Sequence, residues 1–383
     1  MRILHLNTEK GFRGGEQQVV NLIHGLGSVQ AVAQACLVRS GEQLEQQLHE
    51  HSVRLFPWKR SSADVLFPSK HLINAVKEFQ PNIIHAHSGN AHTLGYQLLK
   101  SLQTKGQQHP SAPKFLVTRR VDFPPKKSFF SGQKYTNSFT HYVAISTAIR
   151  EILLNSGVSK ENVVVIPSGV DPNRFQFSEE ARSRWRLEWK ATSNETLVVG
   201  MVGAYVDHKD PLNLVRATAH LKAACESLTN PRALRVVLIG EGELRPQIEE
   251  ERERLGLQQN LILTGWQTTV GELLSALDLF VMPSKLEGLC TSLIDAQAFG
   301  LPCVATRAGG IPDVITHNEN GLLVPPQQPQ SLSTAILQLA EDKSMQSLFT
   351  ENGKRRVQQR FTLQAMTQQY QQLYKNLLNE SNA

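Results

Sequence analysis

The sequence predicts an α/β protein: two Rossmann-like, doubly wound parallel-sheet domains in tandem, facing a central cleft. Three observations predict it. Strand-like and helix-like segments alternate from end to end. Most strand-like segments are short continuous apolar runs, which suit parallel strands covered on both faces. The chain has 383 residues, more than the roughly 250–300 at which a single hydrophobic core stops growing.

In the first half the expected strands lie at 2–7, 33–38, 53–56, 82–86, 115–118, 141–144 and 163–166. Helical patterns at 16–26, 69–79, 91–105 and 146–156 separate most of them. The second half repeats the scheme, with strands at 197–202, 235–239, 261–264, 279–282, 303–306 and 321–324. Helices fit between these at 211–228, 244–255, 270–276 and 291–299. Strand character is weak over 171–194, which reads as the link, so the domains are expected at 1–180 and 181–383. The Gln-rich stretch 363–378 is helical with no strand after it, and it can cross back over the first domain. Sheets of this kind bind ligands at the carboxyl ends of their strands.

Hydrophobic residues make up 40% of the chain and charged ones 19%, a globular composition. No run of about 18 apolar residues exists, so no membrane-spanning helix is expected. The start, Met1-Arg2-Ile3-Leu4-His5, turns polar too quickly for a signal peptide and reads as a strand. Cys36, Cys225, Cys290 and Cys303 lie far apart without zinc spacing, which suits reduced thiols and a cytoplasmic chain. Residues 1–190 carry 24 Lys+Arg against 14 Asp+Glu, and residues 191–383 carry 16 against 20. The positive first half suits either ordinary solubility or an anionic partner, including peripheral contact with the inner face of an anionic membrane. No nucleic-acid-binding module is present, so nucleic acid is not expected as a partner.

The segment richest in chemistry is Pro283-Ser284-Lys285-Leu286-Glu287-Gly288-Leu289-Cys290-Thr291-Ser292-Leu293-Ile294-Asp295, a strand exit running through a glycine loop into a helix. The first amides of a helix lack internal partners and, with the helix dipole, suit an anion such as a diphosphate. Glu287 before the turn and Asp295 within the helix can accept hydroxyl hydrogen bonds on either side of it, or one of them can simply complement the dipole. Beyond the next strand, Gly309-Gly310 allows close approach of backbone to a ligand.

The run from Pro283 to Pro325 resembles the donor-site signature of the family 4 retaining glycosyltransferases (glycosyl transferases group 1), which have the GT-B fold. The family pattern is Glu, seven residues, Glu; here Glu287 fills the first place and Asp295, one methylene shorter, the second. The resemblance implies a donor site of Glu287, Gly288, Leu289, Cys290, Thr291 and Asp295, with Glu287 on the sugar and Asp295 on the ribose. Gly203 followed by Lys209 resembles the family's phosphate loop, and Lys209 matches the lysine that neutralises the diphosphate; Ala204 stands where an arginine is frequent. Gly265-Trp266 falls where the family cradles the base. Gly14-Gly15-Glu16 resembles its N-terminal glycine loop, which contacts donor phosphate or acceptor; a plain strand–helix turn reads the same way. The dinucleotide fingerprint is absent.

His85, His87 and His92 cluster after one strand. Three close histidines can mark a metal, but no carboxylate or cysteine sits at ligand spacing, and the resemblance implies a metal-independent enzyme without a cofactor. His87 matches a cleft histidine of the family, and Arg120 stands where the family often has a histidine near the donor sugar. A guanidinium cannot act as a base at neutral pH, but it binds phosphate or carboxylate. The following Pro124-Pro125-Lys126-Lys127-Ser128-Phe129-Phe130, with Lys134, suits an anionic interface or a solvated loop.

The expected function is transfer of a sugar, with retained configuration, from a nucleotide-diphosphate donor to a glycan or lipid-linked acceptor in bacterial envelope polysaccharide or lipopolysaccharide core synthesis. Glu287, Lys209, Arg120 and His87 would carry the chemistry. The alternatives are a catalytically degenerate nucleotide-sugar-binding protein of the same fold, which Ala204, Arg120 and Asp295 favour, and a nucleotide-sugar epimerase.

Overall fold

The computed structural model describes residues 1–61, 64, 67–104, 112–125, 129–193, 195–229 and 231–379. Lys126, Lys127 and Ser128, named above, and residues 105 and 194, which end two of the segments above, lie outside the described residues, as do the side chains of Phe129 and Phe130. The chain divides into two compact units. Unit 1 is Met1–Gly169 with the stretch from Leu363 onward, and unit 2 is Val170–Thr362.

Unit 1 holds strands β1 (Arg2–Asn7), β2 (Ala33–Arg39), β3 (Arg54–Trp58), β4 (Ile83–Ala86), β5 (Lys114–Arg119), β6 (Thr140–Ala144) and β7 (Val163–Val165). They pair in the order β3-β2-β1-β4-β5-β6-β7, all parallel. Its connecting helices are α1 (Gly14–Gly27), α2 (Gln43–Leu48), α3 (Lys70–Phe79), α4 (Gly89–Thr104), α5 (Phe129–Thr136) and α6 (Thr147–Asn155). The strands are buried runs: Ile83–Ala86 is inaccessible throughout, because crossover helices put apolar cover on both faces.

Unit 2 repeats the plan with α7 (Glu179–Glu188), β8 (Leu197–Val202), α8 (Pro211–Glu226), β9 (Leu234–Ile239), α9 (Arg245–Arg254), β10 (Leu261–Leu263), α10 (Val270–Ala276), β11 (Leu279–Met282), α11 (Thr291–Phe299), β12 (Cys303–Thr306), α12 (Ile311–Val314), β13 (Leu322–Val324), α13 (Pro329–Glu341) and α14 (Lys343–Arg360). Its sheet order is β10-β9-β8-β11-β12-β13, again all parallel. The chain then returns to unit 1 as α15 (Leu363–Asn379), whose Met366, Tyr370, Tyr374 and Leu377 pack with Ile3, Leu22, Ile83 and Leu116.

All the expected strands form, with ends moved by two residues or fewer. Two local expectations change. The strand-poor stretch 171–194 contains α7, which Ser178 caps through its hydroxyl. Arg182 and Arg186 both donate to Asp278 Oδ1 at 3.0 Å, so α7 is bonded into unit 2. Its largely polar surface hides the helical period from the sequence. Secondly, Gly14 and Gly15 form no loop: they are the first turn of α1, held by a capping box in which Glu16 Oε2 accepts from the Arg13 amide at 3.1 Å. No described helix is long and apolar enough to cross a membrane.

In each sheet the strand order reverses once, between β1 and β4 and between β8 and β11. Doubly wound sheets bind their ligands beyond the carboxyl ends of the strands at such a point.

Candidate active site

In unit 2, β8 runs into Gly203 and a 3₁₀ turn at Asp207–Lys209, and β11 runs into the loop 283–290 before α11. Two backbone hydrogen bonds tie these loops: the amides of Lys285 and Leu286 donate to the His208 carbonyl at 2.8 and 3.2 Å. Lys285 Nζ adds a 2.8 Å contact to Asp207. Lys209 thereby meets Glu287: its ammonium donates to Glu287 Oε1, and Ser284 Oγ donates to the same oxygen at 3.0 Å. Glu287 is only 6% exposed. Buried carboxylates are costly unless paired and hydrogen-bonded, and this one is both.

The backbone of Glu287 is fixed as well. Its carbonyl accepts from the Gly310 amide at 2.8 Å, and Gly309 sits at φ +48° against it. A Cβ on Gly309 would overlap the Glu287 carbonyl oxygen and lie 2.9 Å from its nitrogen. The close approach expected of Gly309-Gly310 is therefore made to the Glu287 peptide. Gly203 is not crowded in this way: a Cβ there would lie 3.8 Å from Lys209 Cδ, an ordinary contact distance.

Helix α11 begins after Cys290, which takes a left-handed conformation at φ +70°. Its carbonyl accepts from Leu293 and Ile294. No described side chain caps the helix, so its head, at Thr291 and Ser292, suits an anion. Leu289 and Cys290 are buried beneath it, and Gly288 is half-buried. Asp295 is 15% exposed and lies 4.0 Å from Arg174. Burial pushes its carboxyl up to about 6; Arg174 opposes the shift and Asp171 adds to it. Gly265, two residues beyond β10, sits at φ +71° with its carbonyl accepting from the Gly240 amide at 3.1 Å, while Trp266 is 74% exposed.

In unit 1, His87 follows β4, and His5 and His85 stand side by side in β1 and β4. His85 bonds Tyr374 Oη and Thr118 Oγ1, each at 2.7 Å, and Thr118 bonds Tyr370 at 2.8 Å. His5 Nδ1 lies 3.0 Å from His87 Nε2, and His5 Nε2 lies 3.2 Å from Gln34 Oε1. Burial, then the neighbouring charges, holds His85 and His87 well below the usual histidine range, and burial lowers His5 to about 4. All three are neutral at pH 7.

The trio brought together is thus His5, His85 and His87, with ligand atoms within 4.8 Å of one another. His92 leaves the expected cluster for an aromatic box with Tyr135 and Tyr142. In the trio, hydrogen bonds to residues or to one another occupy every ring nitrogen but His87 Nδ1. Five of the six ring nitrogens are therefore already engaged by protein groups. Arg120 lies beside Gly15, whose Cβ would be 3.8 Å from Arg120 Cδ. Its Nε and Nη1 are buried without a partner among the described residues, and burial lowers its pKa against the opposing fields of Tyr370 and Glu16.

Glu287 with Lys209, and His87 with Arg120 and Gly15, are therefore each assembled within one unit. The sequence reading missed Ser284, Arg174, His5, Gln34 and the two tyrosines of α15. Only Ser284 carried a signal, three residues before Glu287 on the same strand exit.

Two family models match the chain: residues 183–356 match Glycosyl transferases group 1, and residues 12–174 match Glycosyltransferase Family 4. The lipopolysaccharide core biosynthesis glycosyltransferase LpsD of Rhizobium meliloti is 26% identical over 98% of both chains. The capsular polysaccharide biosynthesis glycosyltransferase CapM of Staphylococcus aureus is 25% identical over 63% of both. The crystal structure of Anabaena Alr3699/HepE in complex with UDP superposes with a TM-score of 0.80 at 21% identity, covering 98% of this chain and 100% of that one.

Proposed function

Since the chain belongs to the group 1, family 4 glycosyltransferases of GT-B fold, we propose that it retains anomeric configuration and uses a nucleotide-diphosphate sugar bound by unit 2. The observation that carries this reading is the pair of half-buried Lys209 and buried Glu287 at the switch point, beside the head of α11, which no described side chain caps. A diphosphate suits both the ammonium and the helix amides. Once phosphate engages Lys209, Glu287 is released to accept hydroxyl hydrogen bonds from the sugar. Asp295 would take the ribose, and Gly265-Trp266 the base. UDP, with which HepE was crystallised, is the first nucleotide to test. A thermal-shift series with UDP, GDP and ADP sugars identifies the donor, because a ligand that binds only the native state raises its apparent stability.

The transfer step follows from what surrounds the donor. In this reading Glu287 holds the sugar hydroxyls and Asp295 the ribose, and neither acts as a nucleophile. The acceptor hydroxyl would therefore attack the face the nucleotide leaves: the new C–O bond forms as the sugar–phosphate bond breaks, and the departing phosphate oxygen takes the hydroxyl proton. Lys209 and the α11 amides stabilise the charge on that oxygen, each donor contributing about 3–4 kcal/mol. No metal ion is required, so turnover should persist in EDTA. His87, Arg120 and the amides of Gly14 and Gly15 would serve transfer and acceptor recognition in unit 1. The acceptor is proposed to be an envelope glycan or its lipid-linked precursor, as the names of LpsD and CapM suggest, reached by peripheral contact from the cytoplasm.

Replacing Glu287 by Ala should lower turnover on the order of 10²–10³-fold while the circular dichroism spectrum persists; unchanged turnover would falsify the site. An NMR coupling constant showing inverted configuration in the product would exclude the retaining course.

A further inference from the structure

In the first unit one hydrogen-bonded chain takes its direction from heavy-atom geometry once its buried imidazoles are neutral. Gln34 is buried, and its Nε2 donates to the Ile23 carbonyl at 2.9 Å. A backbone carbonyl can only accept, so the Gln34 amide cannot be turned over and its Oε1 must face His5. Oε1 also only accepts, so the proton of His5 sits on Nε2. A neutral imidazole carries one proton, which leaves His5 Nδ1 as an acceptor. The 3.0 Å contact to His87 Nε2 must then be donated by His87. By the same rule His87 Nδ1 is left bare. That nitrogen is buried and has no hydrogen-bond partner among the described residues, in a residue only 6% exposed.

We infer that Gln34 and His5 are positioning residues that lock His87 in the Nε2-protonated tautomer, presenting Nδ1 as an acceptor for a sugar hydroxyl. Arg120, close enough for its charge to act on His87, brings a buried Nε and Nη1 that are donors without a partner among the described residues. A hydroxyl can donate to the imidazole and accept from the guanidinium, whereas a carboxylate or phosphate can do only the second. The lock thus selects a polyol over an anion at this point. The hydroxyl assignment rests on the transferase reading above; the tautomer does not, and it is measured on the free protein.

The test is a long-range ¹H–¹⁵N spectrum of histidine-labelled protein at neutral pH, with His5 and His87 assigned from His5→Gln and His87→Gln. Both imidazoles should show protonated Nε2 and bare Nδ1. In Gln34→Leu the direction is lost, His87 should gain Nδ1–H character, and turnover should fall on the order of 10- to 100-fold, as when outer partners that orient histidines are removed. Gln34→Glu, which keeps an acceptor facing His5, should restore the wild-type tautomer. A wild-type His87 carrying its proton on Nδ1, an unchanged His87 in Gln34→Leu, or stoichiometric zinc bound to the trio would each overturn the lock. Adding UDP-glucose, UDP alone or purified core oligosaccharide then locates the hydroxyl. A shift of His87 Nδ1 with UDP-glucose but not UDP assigns it to the donor sugar, and a shift with the oligosaccharide assigns it to the acceptor. No shift with any of them would remove the hydroxyl role while leaving the tautomer result standing.

Discussion

Glu287 is held by four separate groups: the Lys209 ammonium, the Ser284 hydroxyl, the Gly310 amide and the close packing of Gly309. Two of these come from a loop that the sequence reading assigned to ligand approach. Gly309→Ala tests the difference. The substitution adds a left-handed penalty of about 1–2 kcal/mol to the overlap with the Glu287 peptide. It should lower the melting temperature and cut turnover together, without any direct contact to the donor. Asp295 makes a second prediction. Its carboxyl, raised to about 6, must ionise to accept both ribose hydroxyls. Donor affinity should therefore weaken as pH falls below about 6, and Asp295→Asn should bind more weakly but without that pH dependence. Calorimetry with an intact nucleotide sugar, whose diphosphate does not titrate there, measures both. The Glu287–Asp295 spacing was legible in the sequence because it resembles the family's donor-site pattern; residue type and helix position alone left a simple dipole partner equally open. Arg174, which faces Asp295, was not, because that contact spans more than a hundred residues and follows no local period.

At the scale of elements, β-strands were the most legible part of the chain, since unbroken apolar runs such as Ile83–Ala86 and Leu279–Met282 are buried on both faces. Helices with polar surfaces were less so, and α7 is the case in point. The sequence also marks 363–378 as helical without saying what it meets. The structure answers with Tyr370 and Tyr374, which reach Thr118 and His85 beneath the histidine array. Tyr374→Phe removes the only partner of buried His85 Nδ1 among the described residues. It should destabilise unit 1 by about 1–3 kcal/mol, the cost of an unsatisfied buried polar group, measurable by urea titration. A change below about 0.3 kcal/mol would show the bond to be dispensable.

For the whole molecule, acid should act on the two units in opposite senses. In unit 1, His5, His85, His87 and His92 are buried, and their folded-state pKa values lie below the ordinary 6.5. Below pH 6.5 the unfolded chain takes up protons that the folded unit refuses, so stability is lost as pH falls from about 6.5 toward 4. In unit 2, Asp295 is raised from 3.8 to about 6, so the folded form holds the extra proton and stability rises over the same interval. Hydrogen exchange compared at pH 7.5 and 5, corrected for intrinsic rates, should show protection falling in unit 1 and holding in unit 2. Unchanged protection in unit 1 would refute the assignment of its buried histidines as neutral, and equal loss in both units would refute the raised carboxyl of Asp295.

The return of α15 to the first unit has a consequence for biosynthesis. Unit 2 is one unbroken stretch, Val170–Thr362, whereas unit 1 needs residues from both sides of it. On the ribosome, domains usually complete in order from the N-terminus. Here the order is inverted: the strands of unit 1 emerge first but wait with part of their core uncovered, while unit 2 can close. Only when Met366, Tyr370, Tyr374 and Leu377 have been translated can the first sheet receive its last apolar cover. Until then the nascent chain exposes a surface on which a chaperone could act.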